Sequence, residues 1–142
     1  MISRVTTSKE ISDFLQDQFK RREQVIINGL AYVGEQCVNH ARDLDTYKDQ
    51  TGNLRSSTGW TIIKDGKELR TSSFPQVKNG AKGVKEGKDF AKSFSNLKGL
   101  NLVVVAGMDY AFHVESKYHL DVLKSSEMIA QREVPRMLKD LL

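Results

Sequence analysis

The chain of 142 residues predicts an α+β fold. A helical stripe of apolar residues runs from about Ser8 to about Asp45. It is followed by a β-branched run and a more polar one, joined at Asp65-Gly66, and, later, by a third run at Leu100 to Ala106. A second helical pattern closes the chain from Ser125 onward. The expected architecture is a long N-terminal helix packed on a small antiparallel sheet, with a short helix and a C-terminal helix. Residues 1–142 fall within the size of one domain.

The first helix has its own start signal. Thr7-Ser8-Lys9-Glu10 reads as a capping box, with Thr7 as N-cap and Glu10 reaching back to it. Ile11, Phe14, Leu15, Phe19, Ile26, Leu30, Val33, Cys37, Ala41 and Leu44 then recur at steps that fit one helical face. Gly29 and Gly34 each weaken that helix by about 1 kcal/mol against Ala. Unbroken, it would reach roughly 55 Å at 1.5 Å per residue. That is longer than a compact domain of this size, so part of it should overhang the core and pack on a neighbouring subunit. The alternative is two helices, broken near Phe19–Glu23 or at Gly29.

Thr58 to Lys64 is β-branched and aromatic, and Asp65-Gly66 is a strong hairpin signal. Lys67 to Phe74 returns as a more polar strand, suited to an edge. Residues 75–99 hold four glycines and few large apolar side chains, and are expected to form a mobile loop in which Phe90, Phe94 and Leu97 could pin the second half. Leu100 to Ala106 reads as a buried strand. Asp109 can cap a short helix over Tyr110 to Glu115, with a short strand as the alternative. Ser125 and Ser126 can cap the last helix, and Pro135 should kink it. The helices are expected on one face of the sheet.

Composition excludes several functional classes. No run approaches the ~20 apolar residues of a membrane span. The N-terminus has no apolar signal core, so synthesis in the cytoplasm is expected. A single cysteine, Cys37, forms no internal disulfide and falls on the apolar side of the first helix, where a buried spectator is expected. His113, Glu115, His119 and Asp121 do not follow the spacing of a helical two-histidine zinc site. Gly80 to Asp89 contains a Gly-Lys pair but lacks both the earlier glycine and the following Ser or Thr of a phosphate-binding loop. No catalytic residue, metal or cofactor is expected.

The charge is concentrated. Lys78, Lys82, Lys85, Lys88, Lys92 and Lys98 face only Glu86 and Asp89 in residues 75–99, an excess equal to the whole formal net charge of +4. Flexible lysines contact nucleic-acid phosphates without sequence preference, so this segment is the candidate for non-specific DNA contact. The bland alternative is a solvated basic loop.

Two compact stretches remain. Asp49 can close a turn after the first helix, Thr51 can cap the next turn, and Gly52 supplies backbone freedom. Leu54 should point inward and Arg55 outward, with Ser56 and Ser57 leading into the strand. About fifty residues on, Gly107 allows a sharp turn, Tyr110 and Ala111 pack, and Glu115 lies near the surface, where it could pair with Arg55 within or between subunits. Asp49-x-Thr51-Gly52-Asn53-Leu54-Arg55-Ser56-Ser57, followed by Val103-Val104-Val105-Ala106-Gly107-x-x-Tyr110-Ala111-x-x-Val114-Glu115, resembles the tail-component or tail-completion proteins of long-tailed bacteriophages and prophages, also described as head–tail joining or neck proteins. The order matches over roughly Ile11 to Leu142, and Thr51, Gly52, Leu54, Arg55, Ser57, Gly107, Tyr110, Ala111, Val114 and Glu115 match individually.

The chain departs from that pattern where Gln50 separates Asp49 from Thr51, where no Pro precedes them, where Ser116-Lys117 replaces Gly-Thr, and where Tyr118 to Leu123 replaces a Pro-containing stretch. The resemblance implies a non-enzymatic virion protein made in the bacterial host. It would form a ring-like homo-oligomer on assembly, as a monomer in isolation or not, and dock to other neck or tail proteins with DNA passing nearby and no membrane.

Overall fold

A computed structural model describes residues 7–44, 47–109, 111–117 and 120–141, without the side chains of Phe112, His113 and Lys117. The order is α1 (Ser8–Arg42), α2 (Asn53–Ser56), β1 (Thr58–Lys64), β2 (Lys67–Thr71), α3 (Ala81–Ala91), β3 (Leu100–Ala106), α4 (Ala111–Lys117) and α5 (Lys124–Leu141). The fold is α+β, with the long first helix, the small antiparallel sheet, a short helix and a C-terminal helix.

The capping box forms as read. Glu10 N–H donates to Thr7 Oγ1, and Thr7 N–H donates to the Glu10 carboxylate. α1 then continues unbroken through Phe19 and both glycines to Arg42. Its glycines are packing sites. A Cβ on Gly29 would lie 2.6 Å from Met137 Sδ, and one on Gly34 would lie 2.7 Å from Trp60 Cγ. Close approach of α5 and of the indole offsets the helical cost of glycine. From Ile27 onward the stripe is buried at Ile27, Leu30, Val33, Cys37, Val38 and Ala41. Before that it is not: Ile11, Phe14, Leu15 and Phe19 stand exposed, Phe19 at 66%. The first half of α1 therefore overhangs the body.

The sheet order is β2-β1-β3, antiparallel throughout. Asp65 and Gly66 both have positive φ, 50° and 82°, as the two-residue hairpin turn requires. β1 is the central strand, and all but its last residue are buried. α1 and α5 cover one face, through Leu30, Val38, Trp60, Ile62, Leu102, Val104 and Met137. The other face is also covered, which corrects the one-sided expectation: Val103 and Val105 pack with Phe74, Val84, Ala91 and Phe94.

That second layer comes from the segment expected to be a loop. Residues 81–91 form helix α3. Gly83 and Gly87, which made the segment look unstructured, let α3 touch backbone. A Cβ on Gly83 would collide with the Asn53 carbonyl, and one on Gly87 would lie 2.5 Å from the Ser57 carbonyl oxygen. Phe74, past the end of β2, is buried beneath α3. A further correction concerns β3. Only Val105 among its seven residues is buried, because β3 is an edge strand. α5 continues through Pro135.

Candidate assembly site and basic helix

The two sequence stretches meet in space. Leu54, 2% exposed, packs in a cluster with Tyr47, Met108, Ala111 and Val122, and Val114 lies against it. Gly107 N–H donates to the Ser57 carbonyl at 3.1 Å, which ties the end of β3 to the start of β1. A Cβ on Gly107 would lie 2.6 Å from the Glu86 carbonyl oxygen, so α3 presses on the same corner. Tyr110 lies outside the described residues.

Asp49 organises this corner. It is buried, and its carboxylate accepts from three backbone N–H groups: Gly52 at 3.1 Å, Leu54 at 3.4 Å and Arg55 at 2.9 Å. It thereby caps α2 from upstream and does not close α1. Thr51 Oγ1 accepts from Asn53 N–H at 3.3 Å. Gly52 precedes α2 at φ +80°, in the left-handed region. The Asn53 side chain accepts from Gly83 N–H at 3.1 Å, so α2 supplies a cap for the first turn of α3.

Arg55 turns back toward α1. Its Nε donates to the Arg42 carbonyl at 3.0 Å, its Nη2 donates to the Leu44 carbonyl, and its guanidinium lies 4.8 Å from the centre of the Tyr47 ring. Arg42 reciprocates, donating to the carbonyls of Arg55 at 2.8 Å and Pro75 at 2.7 Å. Each guanidinium satisfies carbonyls that helix and turn ends leave open. Burial is the main cause that pulls the Arg42 pKa below its ordinary value.

Glu115 does not meet Arg55 within the chain. Its Oε1 accepts from the N–H groups of Leu123 and Lys124, capping α5 at distances of 3.1 Å and 2.6 Å. Asp121 Oδ1 accepts from Ser125 N–H, so Ser125 and Ser126 are not the caps. Ser126 instead binds α1: its Oγ donates to the Cys37 carbonyl at 2.9 Å, and the Cys37 thiol donates to the Ser126 carbonyl. Cys37 is fully buried, and burial pushes its pKa up. Among the described residues no three His, Cys, Asp or Glu side chains come together as a metal site, and His119 lies outside them.

The lysines separate into two groups. Lys82, Lys85 and Lys88 of α3 and Lys92 at its C-cap recur at steps of three and four, all exposed, on the side away from Gly83, Gly87 and Ala91. Asp89 falls within that face. Lys98 is exposed in the turn before β3. Lys78 is structural: its Nζ donates to the Asp49 carbonyl at 2.8 Å.

Sequence reading missed Arg42 and Asn53. A basic residue ending a helical pattern, and an Asn beside Gly52, were the available signals. No family model, curated protein or solved structure matches the chain. No described helix is long and apolar enough to cross a membrane.

Proposed function

We propose that the chain is a non-enzymatic virion protein of the phage neck or tail end, acting in head–tail joining or tail completion by forming a ring and docking to other virion proteins. The observation that carries this reading is the convergence of the two resembling stretches, Thr51 to Ser57 and Gly107 to Glu115, on one packed corner. Matching residues scattered over the surface would have argued for coincidence. The overhanging half of α1, with Phe14 and Phe19 exposed, supports a head-to-tail contact of the kind a ring needs.

The test mixes the purified protein with any portal-side and tail-tube proteins encoded beside it, and follows mass by light scattering and shape by electron microscopy. Rings on the assembled partners are expected. A strict monomer that joins no assembly refutes the reading.

A second reading is favoured by the lysine face of α3: non-specific nucleic-acid binding. It predicts DNA affinity that falls with salt at a log–log slope of about −3 to −4, as expected for four phosphate contacts. Replacing Lys82, Lys85, Lys88 and Lys92 by Gln should abolish it. No binding at low salt disposes of this reading.

A further inference from the structure

α1 and α5 run antiparallel: Met137 packs against Gly29, and Ser126 bonds to Cys37. α5 stops at Leu141, which shares a groove with Val25 of α1. α1 extends beyond that point, from Arg22 back to Ser8. The apolar stripe of this overhang continues the track that α5 covers. Ile11, Leu15 and Phe19 are in helical step with Ile26, Val33 and Cys37, and Phe14 borders them. Ile11, Phe14, Leu15 and Phe19 are roughly half to two thirds exposed. The overhang thus presents an uncovered helix-packing face, in line with α5.

The overhang is complementary to itself. Ile11 and Phe19 stand one turn to either side of Leu15. Glu10 and Arg21 are about three turns apart on one flank of the stripe, with their midpoint again between Leu15 and Gln16. Both have capacity to spare. Glu10 uses Oε2 for its capping bond, and Arg21 meets Asp17 through Nε. Lys9, Asp13, Asp17 and Lys20 lie on the far side of the helix, and Glu23 is held by Lys64. Arg22 is the one charge within the stripe, and it lies beside Leu138 and Leu141 at the C-terminal end of α5, where a cation is favoured.

We propose that a second copy of the chain covers this face, two overhangs packing antiparallel about a twofold axis at Leu15. Ile11 of each copy then packs by Phe19 of the other, and Glu10 of each reaches Arg21 of the other. The first turn of each α1 follows the last turn of the other copy's α5, N-terminus to C-terminus, an order that helix dipoles favour. A parallel pair would instead set Glu10 on Glu10 and Arg21 on Arg21. A helix of another protein would have to match the length, the apolar spacing and both charges separately, whereas a second copy matches all of them by symmetry. The contact is isologous and closes at two copies. It is independent of the virion reading, whose ring needs a head-to-tail contact, and describes the protein before other partners engage α1. At about 200 Å² for a Phe and slightly less for Ile or Leu, the exposed parts of the four side chains amount to about 800 Å² for the pair, the size of a weak, reversible interface.

Sedimentation equilibrium of the whole protein should show a monomer–dimer equilibrium with a dissociation constant on the order of 100 µM. Phe19→Glu should weaken it at least tenfold with an unchanged circular dichroism spectrum, since Phe19 is exposed in the single chain. Crosslinking reads the orientation, and the fully buried Cys37 does not interfere. Leu15→Cys places two thiols at the axis. Ile11→Cys places them about 12 Å apart along it, at 1.5 Å per residue. Under copper–phenanthroline oxidation Leu15→Cys should form the intermolecular disulfide at least tenfold faster than Ile11→Cys at equal concentration.

A protein that stays monomeric at about 1 mM overturns the proposal, because the stripe then belongs to a different partner. Equal crosslinking of the two cysteine variants overturns it by excluding the antiparallel register. A dimer that Phe19→Glu leaves intact overturns it as well, because the contact then lies elsewhere.

Discussion

Replacing Asp49 by Ala is expected to cost about 3 kcal/mol of stability. The figure follows from what its carboxylate holds: the N–H groups of Gly52, Leu54 and Arg55 at 3.1, 3.4 and 2.9 Å. Loss of a helix cap alone costs about 0.5–2 kcal/mol. A buried donor left without an acceptor costs about 1–3 kcal/mol. The long bond to Leu54 counts for little, and half-exposed Arg55 can recruit water, so the sum stays near the low end of three such losses. Asp49→Asn keeps one oxygen for Gly52 and Leu54 but turns its NH2 donor toward the Arg55 N–H, so it loses that bond as well as the charge and should cost about 2 kcal/mol. Urea denaturation monitored through Trp60, the single tryptophan, measures both. An Ala variant within about 0.5 kcal/mol of the unaltered protein, the usual range for surface substitutions, would refute the reasoning.

Arg55→Met removes donors from the Arg42 and Leu44 carbonyls and should destabilise by about 1–3 kcal/mol. The same substitution combined with Glu115→Gln should show coupling below about 0.5 kcal/mol in a double-mutant cycle, since the two side chains hold different elements. Gly83→Val forces α3 away from the Asn53 carbonyl and should cost about 2–3 kcal/mol in a urea titration. Cys37, with its raised pKa, should react with a thiol reagent only as fast as the protein unfolds. Because the folded state holds that proton more tightly than the unfolded chain, its contribution is complete below pH 9.0 and is lost as pH rises through the higher folded value. The melting temperature of the unaltered protein should therefore fall more steeply above pH 9.0 than that of Cys37→Ala.

Local patterns were read correctly where one element decides its own form. The Thr7–Glu10 box and the Asp65-Gly66 turn need nothing beyond neighbouring residues, and both strands with strong β composition, Thr58–Lys64 and Leu100–Ala106, form over the expected residues. What depends on a distant partner was misread. Gly83 and Gly87 lower helix propensity in isolation, yet α3 forms because those glycines admit the carbonyls of Asn53 and Ser57. The apolar run of β3 looks the same whether a strand is central or at an edge, and only the sheet order distinguishes them. Arg55 and Glu115 were natural candidates for an ion pair by charge, but within the chain each holds backbone groups at a helix end instead. Leu54 was expected to point inward, but its packing against Met108 and Ala111 of the second stretch is legible only in the fold.

The overhang of α1 divides that helix into two kinetic regimes. Beyond Ile27 it is held by α5, Trp60 and the sheet, and its amides open only with the body of the protein. Before Arg21 and Arg22, which share a groove with Leu138 and Leu141, its turns are held by little more than their own hydrogen bonds, the Thr7 cap and the Asp17–Arg21 pair. An isolated helical stretch of that length is marginal in water. It is expected to unwind and reform on its own, faster than the domain unfolds. Lys20, Arg21 and Arg22 therefore form a natural tryptic cutting point in the free protein, and any partner that covers Phe14 and Phe19 will protect it. Protease resistance at this one site thus reports engagement of the helix, without requiring that the partner be known.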